Sequence, residues 1–213
     1  MKFSAIIPDR GDRKELTEHC FFQMDRQTLK PERIYHINYI PLNGEMDLVQ
    51  RVITGIDQSE RDGIDKCFII ENDDYYPDDY FEKMQFDCDM VGVEQTTYYN
   101  LKYKRLRFFK HFGRSSLFCT GFRISKIKNM VFPLKSLDMR MWLFAQNLKV
   151  RFVESPGAIG IKHGIGLCGG MGHQFNVNYT KDSGMWYLKA QVREESFEFY
   201  KSYHEKINGK RLF

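Results

Sequence analysis

The sequence predicts an α/β protein built on a mostly parallel central sheet flanked by helices. Short apolar runs alternate with segments whose apolar residues recur at three-to-four spacing, as strands joined by crossover helices do. Turn-formers such as Pro8 and Asn43-Gly44 punctuate the segments. At 213 residues, with 42% hydrophobic and 28% charged content, the chain is long enough for one domain with a real core.

The elements follow in order. "FSAIIP", Phe3 to Pro8, is expected as a strand rather than a secretory leader, because "MKFSAIIPDRGDRK" has no long apolar stretch and no cleavage site. From Lys14 onward Leu16, Cys20, Phe21 and Met24 share one helical face. "LKPERIYHINYI" supplies a connector and the second strand, Met46 to Ile56 the second helix, and "KCFII" (Lys66 to Ile70) the third strand. Beyond these, "DMVGV" and "KVRFVES" are strand-like, and "LKYKRLRFFKHFGRSSLFCTGFRIS" mixes strands with a basic turn. "SLDMRMWLFAQNL" places Leu137, Met141, Phe144, Ala145 and Leu148 at helical spacing, and Trp186 to Ile207 predicts one C-terminal helix ahead of a loose "NGKRLF".

Composition narrows the functional classes. No apolar run approaches the length of a membrane span, so no membrane insertion is expected. The five cysteines are scattered and form no C-x-x-C pair. That fits reduced thiols in a cytoplasmic setting and gives no support for a zinc site. "GIGLCG", Gly164 to Gly169, matches G-x-G-x-x-G, but no apolar helix follows it, which argues against a dinucleotide site. The glycine-rich stretch from Gly157 to Gly172 is either a loop that closes over a ligand or a flexible linker.

Parallel sheets bind ligands outside the carboxyl ends of their strands, and Pro8, Asn38 and Glu71 fall at such ends. There "CFIIENDDYYPDDYF" runs from a buried strand into carboxylates. The triplet Glu71-Asn72-Asp73, with Asp74 as a spare, offers hard oxygen ligands of the kind Mg²⁺ or Mn²⁺ takes. The plain alternative is an acidic loop before a helix, which suits Asp78 and Asp79. Asp9, Arg10 and Arg13 follow the first strand, where arginine can meet a phosphate through paired hydrogen bonds or simply be solvated.

These motifs resemble those of GT-A fold glycosyltransferases, especially the inverting group called family two. There an apolar strand runs into a D-x-D signature. "SAIIPDRGDRKELTEHCFFQMDRQTLKPERIYHIN" resembles their first strand, helix and second strand, and "SLDMRMWLFAQNLKVRFVESPGAIGIKH" their acceptor-side segment. The likeness spans most of residues 3 to 163 as a set of weak motifs. It implies a nucleotide-sugar-binding half over 1–95, an acceptor-side half with a mixed sheet over 96–185, and a C-terminal helix and tail over 186–213. It further implies Mn²⁺ or Mg²⁺ held by Glu71, Asp73 and His163, and a nucleotide-diphosphate sugar donor contacting Pro8, Asp9, Arg10, Arg13, Asn38, Asn72 and Asp73. Asp138 at a helix start would be the general base. The triplet opens with Glu71 where the family has aspartate. The second strand ends in "INYI" rather than an acidic pair, so no base contact carries over.

One stretch stands apart. "YYNLKYKRLRFFKHFGR" interleaves Lys102, Lys104, Arg105, Arg107, Lys110 and Arg114 with aromatic rings. Cations with rings suit a nucleic-acid groove. An amphipathic hairpin with charges outside and rings in the core suits the same pattern. The acceptor is therefore either a saccharide or a hydroxymethylated base in phage-type DNA. Two rivals to the transferase remain: a nucleotidyltransferase, although "PDRGDRK" has only one glycine, and a non-catalytic nucleic-acid-binding protein using residues 98–114.

Overall fold

The computed structural model describes residues 2–39, 48–128, 130, 137–164 and 179–209. The expected alternation holds through the first third: β1 (Ser4–Asp9), α1 (Lys14–Asp25), β2 (Arg33–Asn38), α2 (Leu48–Arg61) and β3 (Lys66–Ile69). β1 lies between β2 and β3 and pairs parallel with both, Ile6 standing opposite Tyr35 and Ile69. β1 and β3 are buried along their whole length, which is why they read as unbroken apolar runs. α2 crosses β1 so closely that a Cβ on Gly55 would lie 2.4 Å from Ile6 Cγ2.

The remaining elements are α3 (Tyr80–Lys83), β4 (Met90–Gly92), β5 (Gln95–Asn100), β6 (Arg105–Lys110), β7 (Thr120–Arg123), α4 (Ile124–Ile127), α5 (Leu137–Phe144), β8 (Val150–Phe152), β9 (Ile159–Lys162), β10 (Thr180–Lys181), α6 (Trp186–Gln191) and α7 (Glu194–Gly209). The main sheet runs β2-β1-β3-β7-β4-β8, and only β7 opposes its neighbours. A second sheet, β10-β6-β5-β9, is built on the β5–β6 hairpin with β9 parallel to β5. Phe3, Phe68, Tyr80 and Phe81 pack one face of the main sheet, while Ile6, Val52, Phe122 and Trp142 pack the other.

Several expectations need correction. α2 continues past Ile56 to Arg61 because buried Ser59 is anchored to Ser4 across 2.7 Å. In α5 the deeply buried ring is Trp142, whose indole donates to Thr120 Oγ1 at 3.2 Å and leaves no room for a side chain at Gly92. The single C-terminal helix is two helices. Val192 adopts an extended conformation between them, and Arg193 reaches across to Asp78 Oδ2 at 2.5 Å. Asp78 thus ties the C-terminal helices to the acidic loop, while Asp79 stands just before α3 as expected. Asn43-Gly44, Met46, most of the glycine-rich stretch and the final residues lie outside the described residues. Among the described residues, no helix is long and apolar enough to cross a membrane.

Candidate active site at the tip of β3

The site grows from the end of β3, where the chain leaves the sheet and Glu71, Asn72, Asp73 and Asp74 follow one another. Asp73 Oδ2 accepts a hydrogen bond from Arg13 Nη1 at 2.7 Å and faces His163 Nε2 at 2.9 Å. Arg13 comes from the turn after β1 and His163 from the end of β9, so three segments distant in sequence meet at one carboxylate. Burial opposes charge on Asp73, but Arg13 and His163 more than offset it and hold the carboxyl well below the usual range. Arg13 spends its second nitrogen, Nη2, on Asn72 Oδ1 at 2.9 Å.

Asn72 turns inward as the hub of a polar wall. Its Nδ2 donates to Asp9 Oδ1 at 2.9 Å and to Thr17 Oγ1 at 2.8 Å. Asp9 Oδ2 meets His36 Nε2 at 2.9 Å, and Oδ1 accepts the Gly11 amide at 2.9 Å. Every oxygen of this buried carboxylate is engaged, which satisfies the cost of burying it.

Asp74 is wholly buried. Its Oδ1 accepts the Ile161 amide at 2.7 Å with Lys162 Nζ at 3.8 Å, while Oδ2 has no partner among the described residues. Burial, reinforced by Asp73 and Glu71, pushes its carboxyl well above the usual range. Lys162 sits among Glu71, Asp73 and Asp74; burial disfavours its charge, and the three carboxylates reverse that and raise its pKa. Glu71 is half-buried. Burial is the main cause that lifts its carboxyl to about 7, with Asp73 and Asp138 adding repulsion and Lys162 and Arg13 opposing.

Asp138 lies in the first turn of α5, where Arg114 Nη1 donates to its Oδ2 at 3.1 Å. Its effect on Glu71 puts it within electrostatic reach of the same tip. Of the residues anticipated from sequence, the structure brings together Asp9, Arg13, Asn72, Asp73 and His163, with Glu71 beside them. Pro8 is buried within β1, and Arg10 pairs with Asp12 at 3.3 Å. Asn38 is exposed at the tip of β2, opposite Asp9 in register. Lys102, Lys104, Arg105, Arg107 and Lys110 spread along the hairpin, and Arg114 alone of this group pairs with a site carboxylate among the described residues. The hairpin corrects the expectation of rings in the core: Tyr98 and Tyr99 are buried, but Phe108 and Phe112 are 57% and 83% exposed. Lys162, His36 and Thr17 escaped sequence reasoning. A cation immediately before His163, at a strand end, was the available signal for the first.

The donor set can be tested against a divalent cation. Among the described residues no three His, Cys, Asp or Glu side chains gather into a cage. Yet among the described residues the hydrogen bonds to Asp73 all fall on Oδ2, and the Glu71 carboxylate is in no hydrogen bond or ion pair. Two carboxylates with oxygens to spare fit Mg²⁺ or Mn²⁺, which complete their shells with water and phosphate. His163 would join such a shell only by giving up its contact with Asp73.

No protein-family profile matches the chain, and no curated protein sequence matches it. Solved structures do. Staphylococcus aureus TarS superposes with a TM-score of 0.51 at 12% identity, covering 76% of this chain and 37% of TarS. A197 from STIV gives 0.50 at 14% identity, covering 73% and 83%. TarS residues 1–349 in complex with UDP-GlcNAc match at 0.49 and 13%, over 76% and 59%. The chain therefore spans little more than a third of the full TarS chain. At such identities the likeness establishes the fold alone: a mixed six-stranded sheet flanked by helices, of the GT-A type.

Proposed function

We propose that the protein is a metal-dependent glycosyltransferase that moves a sugar from a nucleotide-diphosphate sugar to an acceptor hydroxyl with inversion. One observation carries this: the carboxylate of Asp73, at the carboxyl end of β3, is fixed by Arg13 and His163 beside the Glu71 carboxylate, which forms no hydrogen bond among the described residues. A buried, preorganised carboxylate at that end of an α/β sheet is where such folds hold ligands. TarS, which shares the fold, has been solved in complex with UDP-GlcNAc.

Glu71 and Asp73, with His163 as the further candidate, would hold Mn²⁺ or Mg²⁺, which when bound offsets the charge of the diphosphate. The chain's own residues do the rest. Arg13 keeps Asp73 oriented and presents its guanidinium at the phosphate end of the crevice, with Arg10 at the rim. Asp9 and Asn72 shape the wall against which the nucleoside lies, and Asn38 borders it. Asp138, held by Arg114, takes the proton from the acceptor hydroxyl. The oxygen then forms its bond to the anomeric carbon while the bond to the diphosphate breaks, and the nucleoside diphosphate departs with the electron pair. The acceptor is a saccharide or a hydroxymethylated DNA base.

The test is donor turnover followed as nucleoside diphosphate release, with UDP-, GDP- and CDP-sugars and Mn²⁺. Turnover of one donor, lost in Asp138→Asn while nucleotide binding persists, is the expected result. Absence of turnover and of nucleotide binding across the panel overturns the assignment.

A further inference from the structure

A second concave site lies on the far side of α7 from His163. Tyr203 of α7 meets the His163 ring edge-on at 6.2 Å, whereas the next residue, His204, bonds the Leu101 carbonyl at 2.6 Å and lines a groove. That groove encloses about 350 Å³ between the β5–β6 turn and α6–α7.

Its floor carries Trp186, 72% exposed. The indole is held over Gly184 so tightly that a Cβ there would lie 2.1 Å from Nε1. Asp182 fixes the turn beneath by accepting the Trp186 and Tyr187 amides at 2.9 and 3.1 Å. A flat apolar ring left largely in water costs hydration. Around it stand donors, Lys104, Lys189 and Lys201, and acceptors, Glu198 and Glu205, with His204 held by its bond to the Leu101 carbonyl. A pyranose has an apolar face for the indole and hydroxyls that use donors and acceptors alike. Lys201 pairs with Glu198 at 3.4 Å, so the rim alternates donors and acceptors and offers no continuous cationic track for a phosphodiester backbone. An exposed aromatic face with polar groups around it can stack a sugar ring and bond its hydroxyls.

We propose that the Trp186 groove is a saccharide-binding subsite that holds remote units of the acceptor, so that the acceptor is a saccharide chain and not DNA. The word acceptor rests on the transferase assignment; saccharide binding in the groove does not.

The experiment titrates the intact protein with cellotetraose, with chitotetraose and with a 12-nucleotide DNA, following the indole signals by fluorescence and NMR. Trp142 is 3% exposed and serves as the internal reference. A tetrasaccharide is expected to shift the Trp186 signals at millimolar or lower concentration and leave Trp142 still. Affinity should fall at least tenfold in Gly184→Ala, which displaces the ring, and in Trp186→Ala, there read from backbone amide shifts of residues 183–189. Melting temperatures check that both variants fold. No response to either tetrasaccharide, equal affinity in the variants, or a response to DNA alone overturns the proposal. Loss of nucleotide binding at Asp73 alongside intact saccharide binding would remove the transferase assignment and leave the groove standing.

Discussion

Two charged regions of this molecule look alike in the sequence and behave oppositely in space. At the tip of β3, the carboxylates of Asp9, Asp73 and Asp74 are withdrawn from water and held by Arg13, His163, His36, Lys162 and backbone amides. On the β5–β6 hairpin, Arg105 and Lys110 point into solvent, and Lys110 lies over the Phe112 ring at 5.6 Å. Burying an ion is costly unless partners compensate. A chain that buries several together, at the carboxyl end of its sheet, has a use for their field. Charges left in water carry no such implication.

The comparison is broken most severely at Asp73. Asp73→Asn leaves Arg13, 13% exposed, without its main counter-charge. Equilibrium unfolding should show a loss of roughly 3 to 5 kcal/mol, with nucleotide binding weakened at least tenfold. Lys162→Met strips the one ammonium among three carboxylates and should cost about 2 to 4 kcal/mol in the same assay. A loss under about 0.5 kcal/mol in either variant would show these charges to be as dispensable as surface ones.

His19 sharpens the contrast, because it is buried without compensation. Its ring stacks on Phe199 at 4.0 Å, its Nε2 has no partner among the described residues, and burial lowers its pKa from 6.5 to about 4. The unfolded chain therefore binds a proton at a higher pH than the folded one. Stability from this group is complete above pH 6.5 and is lost as pH falls toward 4, by up to about 3 kcal/mol. His19→Phe should remove that stretch of the acid transition, read from denaturation midpoints between pH 7 and pH 4.

The smallest effects belong to the hairpin. Alanine at Lys104, Arg105 or Lys110 should each shift stability by less than about 0.5 kcal/mol. DNA affinity that is salt-steep and lost in the triple variant would return the hairpin to the nucleic-acid alternative.

The same contrast explains what the sequence disclosed. β1, β3 and α1 announce themselves through local patterns, and the strand-end rule then locates Glu71 to Asp74 without any structure. The partners of those carboxylates arrive from 60 to 90 positions away, as Arg13 and His163 do, and no local pattern encodes such a meeting. Lys162 stayed hidden because an isolated lysine on a strand looks solvated until three acids surround it. The break between α6 and α7 was equally out of sight, since it depends on Arg193 docking on Asp78 rather than on a helix-breaking residue. Exposed Phe108 and Phe112 defeated the assumption that rings in an alternating strand seek the core.

The most direct measurement is a thermal-shift titration of the protein and Asp73→Asn with UDP, GDP and CDP, each with and without Mn²⁺. The account predicts that one nucleotide raises the melting temperature of the unaltered protein when the metal is present, and that the asparagine variant gives no shift. Stabilisation that is equal in both proteins, or absent with all three nucleotides, would contradict it.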